Sequence, residues 1–266
     1  MSDSTQKIIE QAGGKTRCDL HGVELIQQEA VELFGRRFIA SAYCPACQAQ
    51  KEAQWEANAN RLAEDAFRRN QERSGVPPRY RNASVDEFIA ETPSERKVKA
   101  ELVRFRDNQG HDPKNLIFCG TVGPGKTHAA NALLNAWLRS GKSALYTTAM
   151  NLVRQVRDTY GSSQEKEATA VRRFTTTGLL ALDELGAQLG TASEKAILAD
   201  IINGRYERML PTIVVGNLNA AEFVELLGER AMSRLQENGM ILVFDWESRR
   251  GKVWANGGKA GQSERL

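Results

Sequence analysis

One eight-residue segment constrains this chain more than any other: Gly120, Thr121, Val122, Gly123, Pro124, Gly125, Lys126 and Thr127. Glycine, four residues, then glycine, lysine and a hydroxyl residue is the phosphate-loop (Walker A) pattern, matched at every fixed position. The apolar run Asn115 to Cys119 before it reads as a buried strand, with Cys119 a small buried residue of that strand. Ala129, Leu133, Leu134 and Trp137 after it fall on one helical face. A glycine loop between strand and helix lets backbone amides turn inward around phosphate, and the helix N-terminus adds partial positive charge. Lys126 is expected to reach the β- and γ-phosphates of a nucleotide, and Thr127 to ligate magnesium through its hydroxyl. His128, in the first helical turn, counts among the nucleotide contacts by position, with a side chain expected to be structural.

Such a loop needs a sheet behind it. Ser143 to Thr148, Gly178 to Leu182, Thr212 to Val215 and Met240 to Phe244 read as further strands separated by helical segments. Strands alternating with helices predict an α/β fold whose parallel sheet is covered on both faces. A length of 266 residues suits one such domain plus a small appendage, so one nucleotide site is expected. The stretch of about twenty residues after the last strand is short for a helical lid of the usual size.

Leu179 to Leu182 runs into Asp183 and Glu184, which puts two carboxylates at the carboxyl edge of the sheet beside the phosphate loop. Asp183 is expected to hold magnesium and Glu184 to polarise the attacking water as general base, a Walker B pair. A solvated turn or helix cap is the alternative for two such acids alone, and it loses force downstream of a phosphate loop. Asn217 closes the strand Thr212 to Gly216. Its amide either bridges the γ-phosphate and the attacking water or merely forms a turn before Leu218 and Asn219. Arg230 and Arg234 lie one helical turn apart and face the same way. Either could reach a neighbouring subunit's ATP as an arginine finger, or be solvated or paired within its own chain.

Three of the four cysteines cluster with a histidine near the N-terminus. Cys18 and His21, like Cys44 and Cys47, leave two residues between ligands, the spacing that turns both side chains of a knuckle onto one ion. A closed, structural, tetrahedral zinc is predicted in preference to disulfides, a redox pair or unliganded side chains. Between the knuckles, Gly22 to Tyr43 is long enough for a β-hairpin turning near Gly35. So small a unit buries little core, so the metal is expected to fold it. From Gln48 to Arg73 the composition predicts one solvated helix, stopped at Ser74 and Gly75 because Val76-Pro77-Pro78 cannot continue it. Its sparse stripe of Trp55, Leu62, Ala66 and Phe67 either docks on another protein or belongs to a plain connecting helix.

The division that follows is a zinc-binding module over 1–50, a linker helix over 51–75, a nucleotide-binding domain over 76–255 and a disordered tail over 256–266. Met1 to Gly14 lacks the basic start and apolar stretch of a signal peptide. No apolar run approaches the ~20 residues that cross a bilayer. The cytoplasm is the expected compartment, with no membrane partner. A net charge of +3 does not separate nucleic-acid binders from other proteins.

Together these residues resemble a known family, the DnaC-like and DnaI-like replicative helicase loaders of bacteria and phages, which are AAA+ ATPases, with the transposase-helper IstB proteins as close relatives. Arg73 to Phe88 resembles the segment that leads into their ATPase core. Gly120 to Ala129, Leu179 to Gly186, Leu226 to Leu235 and Phe244 to Arg250 are similar to successive family motifs in order, over about residues 73 to 253. The resemblance implies an arginine finger at Arg234, with Arg230 in the adjoining motif, and a sensor 2 arginine at Arg250. It also implies that Thr148 to Phe174 touches single-stranded DNA, where Arg154 and Arg157 would meet phosphates and Tyr160 would stack on a base. An N-terminal zinc module is similar to the helicase-binding part of DnaI-type loaders.

The leading expectation is therefore an ATP-controlled assembly factor using ATP, Mg2+ and Zn2+. It would bind a DnaB-type replicative hexameric helicase through residues 1 to about 73, form a homo-oligomer on that ring and help place it on single-stranded DNA. An IstB-like transposition helper that coats duplex DNA is the second expectation, and the zinc module argues against it. A nucleotide-binding adaptor without turnover is the third, and the intact Glu184 argues against that.

Overall fold

The computed structural model describes residues 16–26, 31–33, 36–38, 42–108, 114–160, 164–186 and 189–248. The predicted tail, Arg250 and nearly all of the N-terminal leader lie outside those residues. The chain divides into two compact units, Met1–Asp65 and Ala66–Leu266.

In the first unit, β1 (Val31–Leu33) pairs antiparallel with β2 (Arg36–Phe38), with Leu33 opposite Arg36. This is the hairpin expected around Gly35, which itself lies outside the described residues. Single bridges join Arg17 to Glu24 and Ile26 to Tyr43. Helix α1 (Pro45–Arg73) begins in this unit, three residues ahead of the expected Gln48. Proline is tolerated at a helix start because its missing N–H would have had no partner there. The second knuckle, Cys44 to Cys47, is thus partly the first turn of α1.

In the second unit α1 ends at Arg73, and Gly75 takes a left-handed conformation with φ 74 that stops it. A short 3-10 turn, Pro78–Tyr80, leads on to α2 (Pro93–Asp107), which opens with a reciprocal cap between Thr92 and Glu95. The rest alternates strand and helix. It runs β3 (Asn115–Gly120), α3 (Lys126–Arg139), β4 (Ala144–Thr148), α4 (Ala149–Arg157), α5 (Gln164–Thr176), β5 (Leu179–Leu185), α6 (Ala192–Tyr206), β6 (Thr212–Gly216), α7 (Ala220–Leu227), α8 (Glu229–Glu237) and β7 (Gly239–Phe244). All five expected strands are present and form one parallel sheet in the order β4-β5-β6-β3-β7.

Successive side chains of a strand point to opposite faces, and here both faces are buried. Leu116, Phe118, Ala181, Val215 and Phe244 pack with α2 and α3 on one side. Ile117, Cys119, Leu182 and Val214 pack with α4, α6, α7 and α8 on the other. That double burial is why the strands read as unbroken apolar runs. Among the described residues no helix is long and apolar enough to cross a membrane.

One buried cation ties the lower edge of the sheet together. Arg205, fully buried near the end of α6, donates to the carbonyls of Phe174 (2.7 Å), Thr177 (2.7 Å), Gly178 (3.4 Å) and Pro211 (2.6 Å), and from Nε to Thr212 Oγ1 (2.9 Å). Burial pushes its pKa down to about 9, which leaves it charged at neutral pH. Its partners are neutral oxygens in the last turn of α5, just ahead of β5 and around the start of β6, so one guanidinium closes the approaches to both strands. Arg205→Met would leave these acceptors buried and unpaired, and a loss of ~3–5 kcal/mol is expected. Urea unfolding of the full chain checks this; a loss under ~1 kcal/mol would contradict it.

Candidate nucleotide and metal sites

The phosphate loop leaves the carboxyl end of β3, and its glycines are required by what surrounds them. A Cβ on Gly120, at φ 120, would lie 2.1 Å from the carbonyl oxygen of Phe244 on neighbouring β7. A Cβ on Gly123, at φ 98, would lie 2.1 Å from Ser248 Oγ. The chain after β7 therefore presses onto the loop, and Trp246 Nε1 donates to the Pro124 carbonyl at 3.0 Å. Lys126 is buried and folds back on the loop, donating to the carbonyls of Gly120 (2.9 Å) and Thr121.

Strand order decides what faces the loop. Because β6 lies between β3 and β5, Asn217 just beyond β6 stands between the phosphate loop and the acids of β5. Pro124, Lys126, Thr127, Asp183, Glu184 and Asn217 line one cavity of about 670 Å³. The two acids sit inside β5, where the pairing with β6 slips between Leu182 and Leu185. Glu184 takes a positive φ of 58, a conformation rare for such a residue, and its side chain is exposed. Asp183 is buried, and its two oxygens accept from the Glu184 amide (2.7 Å) and the Tyr146 hydroxyl (2.8 Å). Burial, then the charge of Asp183, pushes the Tyr146 phenol well above its ordinary pKa.

The same cavity has a wall that sequence reasoning did not assign. Arg79, Tyr80, Glu87, Phe88 and Ile89 line it from the segment ahead of α2. Tyr80 meets His128 edge to face at 6.3 Å, and burial lowers the His128 pKa, so this imidazole is neutral at pH 7. A buried polar network holds the segment. Gln71 donates to Asn135 Oδ1 (2.8 Å), and Asn135 donates to the carbonyls of Tyr80 (2.9 Å) and Ala83 (2.9 Å). The resemblance of Arg73 to Phe88 to a family lead-in segment was the signal available for this wall, and its contacts span long sequence separations.

The remaining candidate residues lie apart from that cavity. Arg230 is exposed on α8, and half-buried Arg234 lies with its guanidinium 5.0 Å from the centre of the Tyr206 ring. Tyr206 in turn donates to Glu237 at 2.7 Å. On α4, Arg154 is exposed, and Tyr160 just beyond it is 49 % exposed. Arg157 is already engaged, bound to Glu194 Oε1 (3.0 Å) and Thr191 Oγ1 (3.1 Å) at the cap of α6.

In the N-terminal unit the four expected metal ligands converge. The ligand atoms of Cys18, His21, Cys44 and Cys47 all lie within 4.8 Å of one another. Cys18 Sγ to Cys47 Sγ measures 3.6 Å, and His21 Nδ1 lies 3.7 Å from Cys18, 3.7 Å from Cys44 and 3.3 Å from Cys47. A tetrahedral zinc with Zn–S of about 2.3 Å sets ligands roughly 3.8 Å apart, so the donors fit that ion. The sulfurs are too far apart for a disulfide, whose S–S is about 2.05 Å.

A phosphate loop on β3, an acid pair on β5 and a strand inserted between them define a P-loop nucleotide-binding protein of the AAA+ class. Residues 69–242 match the family of IstB-like ATP-binding proteins. The chain is 31 % identical over 182 residues to the replicative helicase loader DnaC of Escherichia coli K12, covering 68 % of this chain and 74 % of that protein. It is 32 % identical over 186 residues to DnaC of Buchnera aphidicola subsp. Acyrthosiphon pisum, covering 69 % and 76 %. Among solved structures, the DnaC helicase loader superposes with a TM-score of 0.56 at 25 % identity, over 63 % of this chain and 99 % of that one. DnaI shares the fold, with a TM-score of 0.55 at 21 % identity, over 65 % and 94 %. This chain belongs to the IstB-like ATP-binding family, and replicative helicase loaders are among its relatives.

Proposed function

We propose that this protein is an ATP-dependent helicase loader of DNA replication, acting in the cytoplasm. The observation that carries the reading is its kinship with DnaC, at 31 % identity over 182 residues, 68 % of this chain. Residues 1 to about 73, the N-terminal zinc module with helix α1, would engage a DnaB-type replicative hexameric helicase. The ATPase domain (76–255) would assemble as a homo-oligomer on that ring and contact single-stranded DNA, with exposed Arg154 and Tyr160 as its contacts. Arg157 would serve there chiefly by anchoring α4 to α6.

In the proposed mechanism the amides of residues 120–127 surround the phosphates of ATP, and Lys126 leaves its loop carbonyls to meet the β- and γ-phosphates. Thr127 and Asp183 would hold a magnesium ion, which when bound would supply positive charge beside the phosphates. Glu184, exposed into the cavity by its unusual backbone, takes the proton of the attacking water. Asn217 orients that water, and Arg234 completes the site of the adjacent subunit. Binding between subunits orders the assembly, and hydrolysis loosens it.

Lys126→Ala is expected to abolish ATP binding or turnover. Glu184→Gln is expected to keep ATP bound while hydrolysis falls by about 10²–10⁴-fold, as loss of a general base does. Equilibrium binding and phosphate release measure the two, and wild-type turnover by Glu184→Gln would reject its role. Arg234→Ala should bind ATP without hydrolysing it and regain turnover when mixed with Lys126→Ala, since a mixed interface can pair an intact loop with an intact arginine. Failure of mixing to restore turnover would remove Arg234 from that role.

Metal analysis of the native protein should find about one zinc per chain, as a single closed four-ligand site binds. Cys44→Ser should lose that zinc and the capture of purified replicative helicase while ATP binding stays intact. Zinc-free protein that still captures helicase would overturn the N-terminal assignment, and capture of a transposase in its place would favour the transposition-helper reading.

A further inference from the structure

Asp183 is proposed above as the magnesium carboxylate, yet it is buried at 3 % exposure among apolar strands. A carboxylate withdrawn from water must find its donors in the protein. The Glu184 amide reaches one oxygen at 2.7 Å, and the other is reached across the sheet by Tyr146 at 2.8 Å. Register explains the second contact. Tyr146 on β4 lies opposite Ala181 on β5, and Thr148 lies opposite Asp183. Tyr146 and Asp183 are therefore diagonal neighbours on one face, a separation that a long aromatic side chain spans. The small side chain of Ala181 leaves the ring room to lie along the strand.

Tyr146 is itself held from behind. Its amide donates to the Ser74 carbonyl at 2.7 Å, so the residue that follows α1 caps the exposed edge of β4. A Cβ on Gly75 would lie 2.6 Å from the Tyr146 carbonyl oxygen, so only glycine allows so close an approach. Ser74 is buried, and its hydroxyl bonds back to the Gln71 carbonyl at 2.6 Å. The end of α1 and the carboxylate of Asp183 thus share one intermediary.

We infer that Tyr146 is a positioning residue for magnesium: its hydroxyl fixes the rotamer of Asp183, and its backbone is fixed in turn by the end of α1. This rests on the reading of Asp183 as the magnesium carboxylate. Each oxygen of Asp183 already accepts one bond within the protein, and Asp183 lines the cavity, so a carboxylate held there keeps lone pairs with which to bind an ion. Losing the Tyr146 donor would let the carboxylate rotate and would leave one oxygen unpaired. Outer partners of metal ligands typically contribute 10–100-fold in metal affinity.

The test compares wild type, Tyr146→Phe, Asp183→Asn and the double variant, all as full chains. Binding of a fluorescent ATP analogue is titrated with Mg2+ and, separately, measured in EDTA. Tyr146→Phe should raise the Mg2+ concentration for half-maximal binding about tenfold. Its affinity in EDTA should be unchanged, its urea midpoint should fall by no more than the loss of one buried hydrogen bond accounts for, and the double variant should be no worse than Asp183→Asn. Tyr146→Leu, which lacks both ring and hydroxyl, is the second variant if the phenylalanine protein does not fold, and the same Mg2+ shift is expected. A wild-type Mg2+ dependence in either Tyr146 variant overturns the inference, as does an equal loss with and without Mg2+, which would mark a packing role alone. If Asp183→Asn leaves the Mg2+ dependence unchanged, the magnesium reading of Asp183 fails and takes this inference with it.

Discussion

The pairing of β3 with β6 on one side and β7 on the other sets every distance in the nucleotide cavity. β3 delivers the phosphate loop, and β6 separates it from β5 by one strand. With strands about 4.8 Å apart, the acids of β5 stand roughly 10 Å from the loop, a gap in which phosphates, a metal ion and a water can fit. Had β5 paired directly with β3, the gap would halve and Asn217 would have no place in it. β7 does the opposite work. Its carbonyl at Phe244 and the Trp246 bond to Pro124 press the loop from outside and leave no room for a side chain at Gly120.

The cavity is also built from the segment between α1 and α2. Phe88 packs edge to face on Phe244 and Trp246, each at 6.3 Å, so the lead-in segment and the chain at and after the last strand share one aromatic cluster, which Trp246 bonds to the phosphate loop at Pro124. Asn135 on α3 binds the carbonyls of that segment, and Asn131 one turn earlier donates to the Thr127 carbonyl at 2.8 Å. Helix α3 is thereby tied at Asn135 to the end of α1 through Gln71.

Much of this was legible in the sequence, for identifiable reasons. The phosphate loop was readable because its chemistry demands glycines and lysine at fixed spacing, and the five strands because burial on both faces makes each one continuously apolar. The convergence of Cys18, His21, Cys44 and Cys47 was readable because a knuckle fixes the spacing of its donors. Contacts across long sequence separations left no local signature. Tyr146 reads as an ordinary strand residue until the register sets it diagonal to Asp183. Arg205 reads as one more basic residue near a helix end, yet it is the buried clamp of two loops. Arg157 has the look of a phosphate contact, and its bond with Glu194, thirty-seven positions on, appears only when α4 and α6 pack. Pro45 reads as part of the knuckle, yet proline is also a good first helical residue, and α1 starts there rather than at Gln48.

The most direct measurement is a crystal structure of the protein with a non-hydrolysable ATP analogue and Mg2+. Lys126 Nζ should leave the carbonyls of Gly120 and Thr121 for the β- and γ-phosphates, the ion should lie between Thr127 and Asp183, and Tyr146 should remain bonded to Asp183. An analogue bound outside the cavity of β3, β5 and β6, or an Asp183 turned away from the ion, would contradict the site described above.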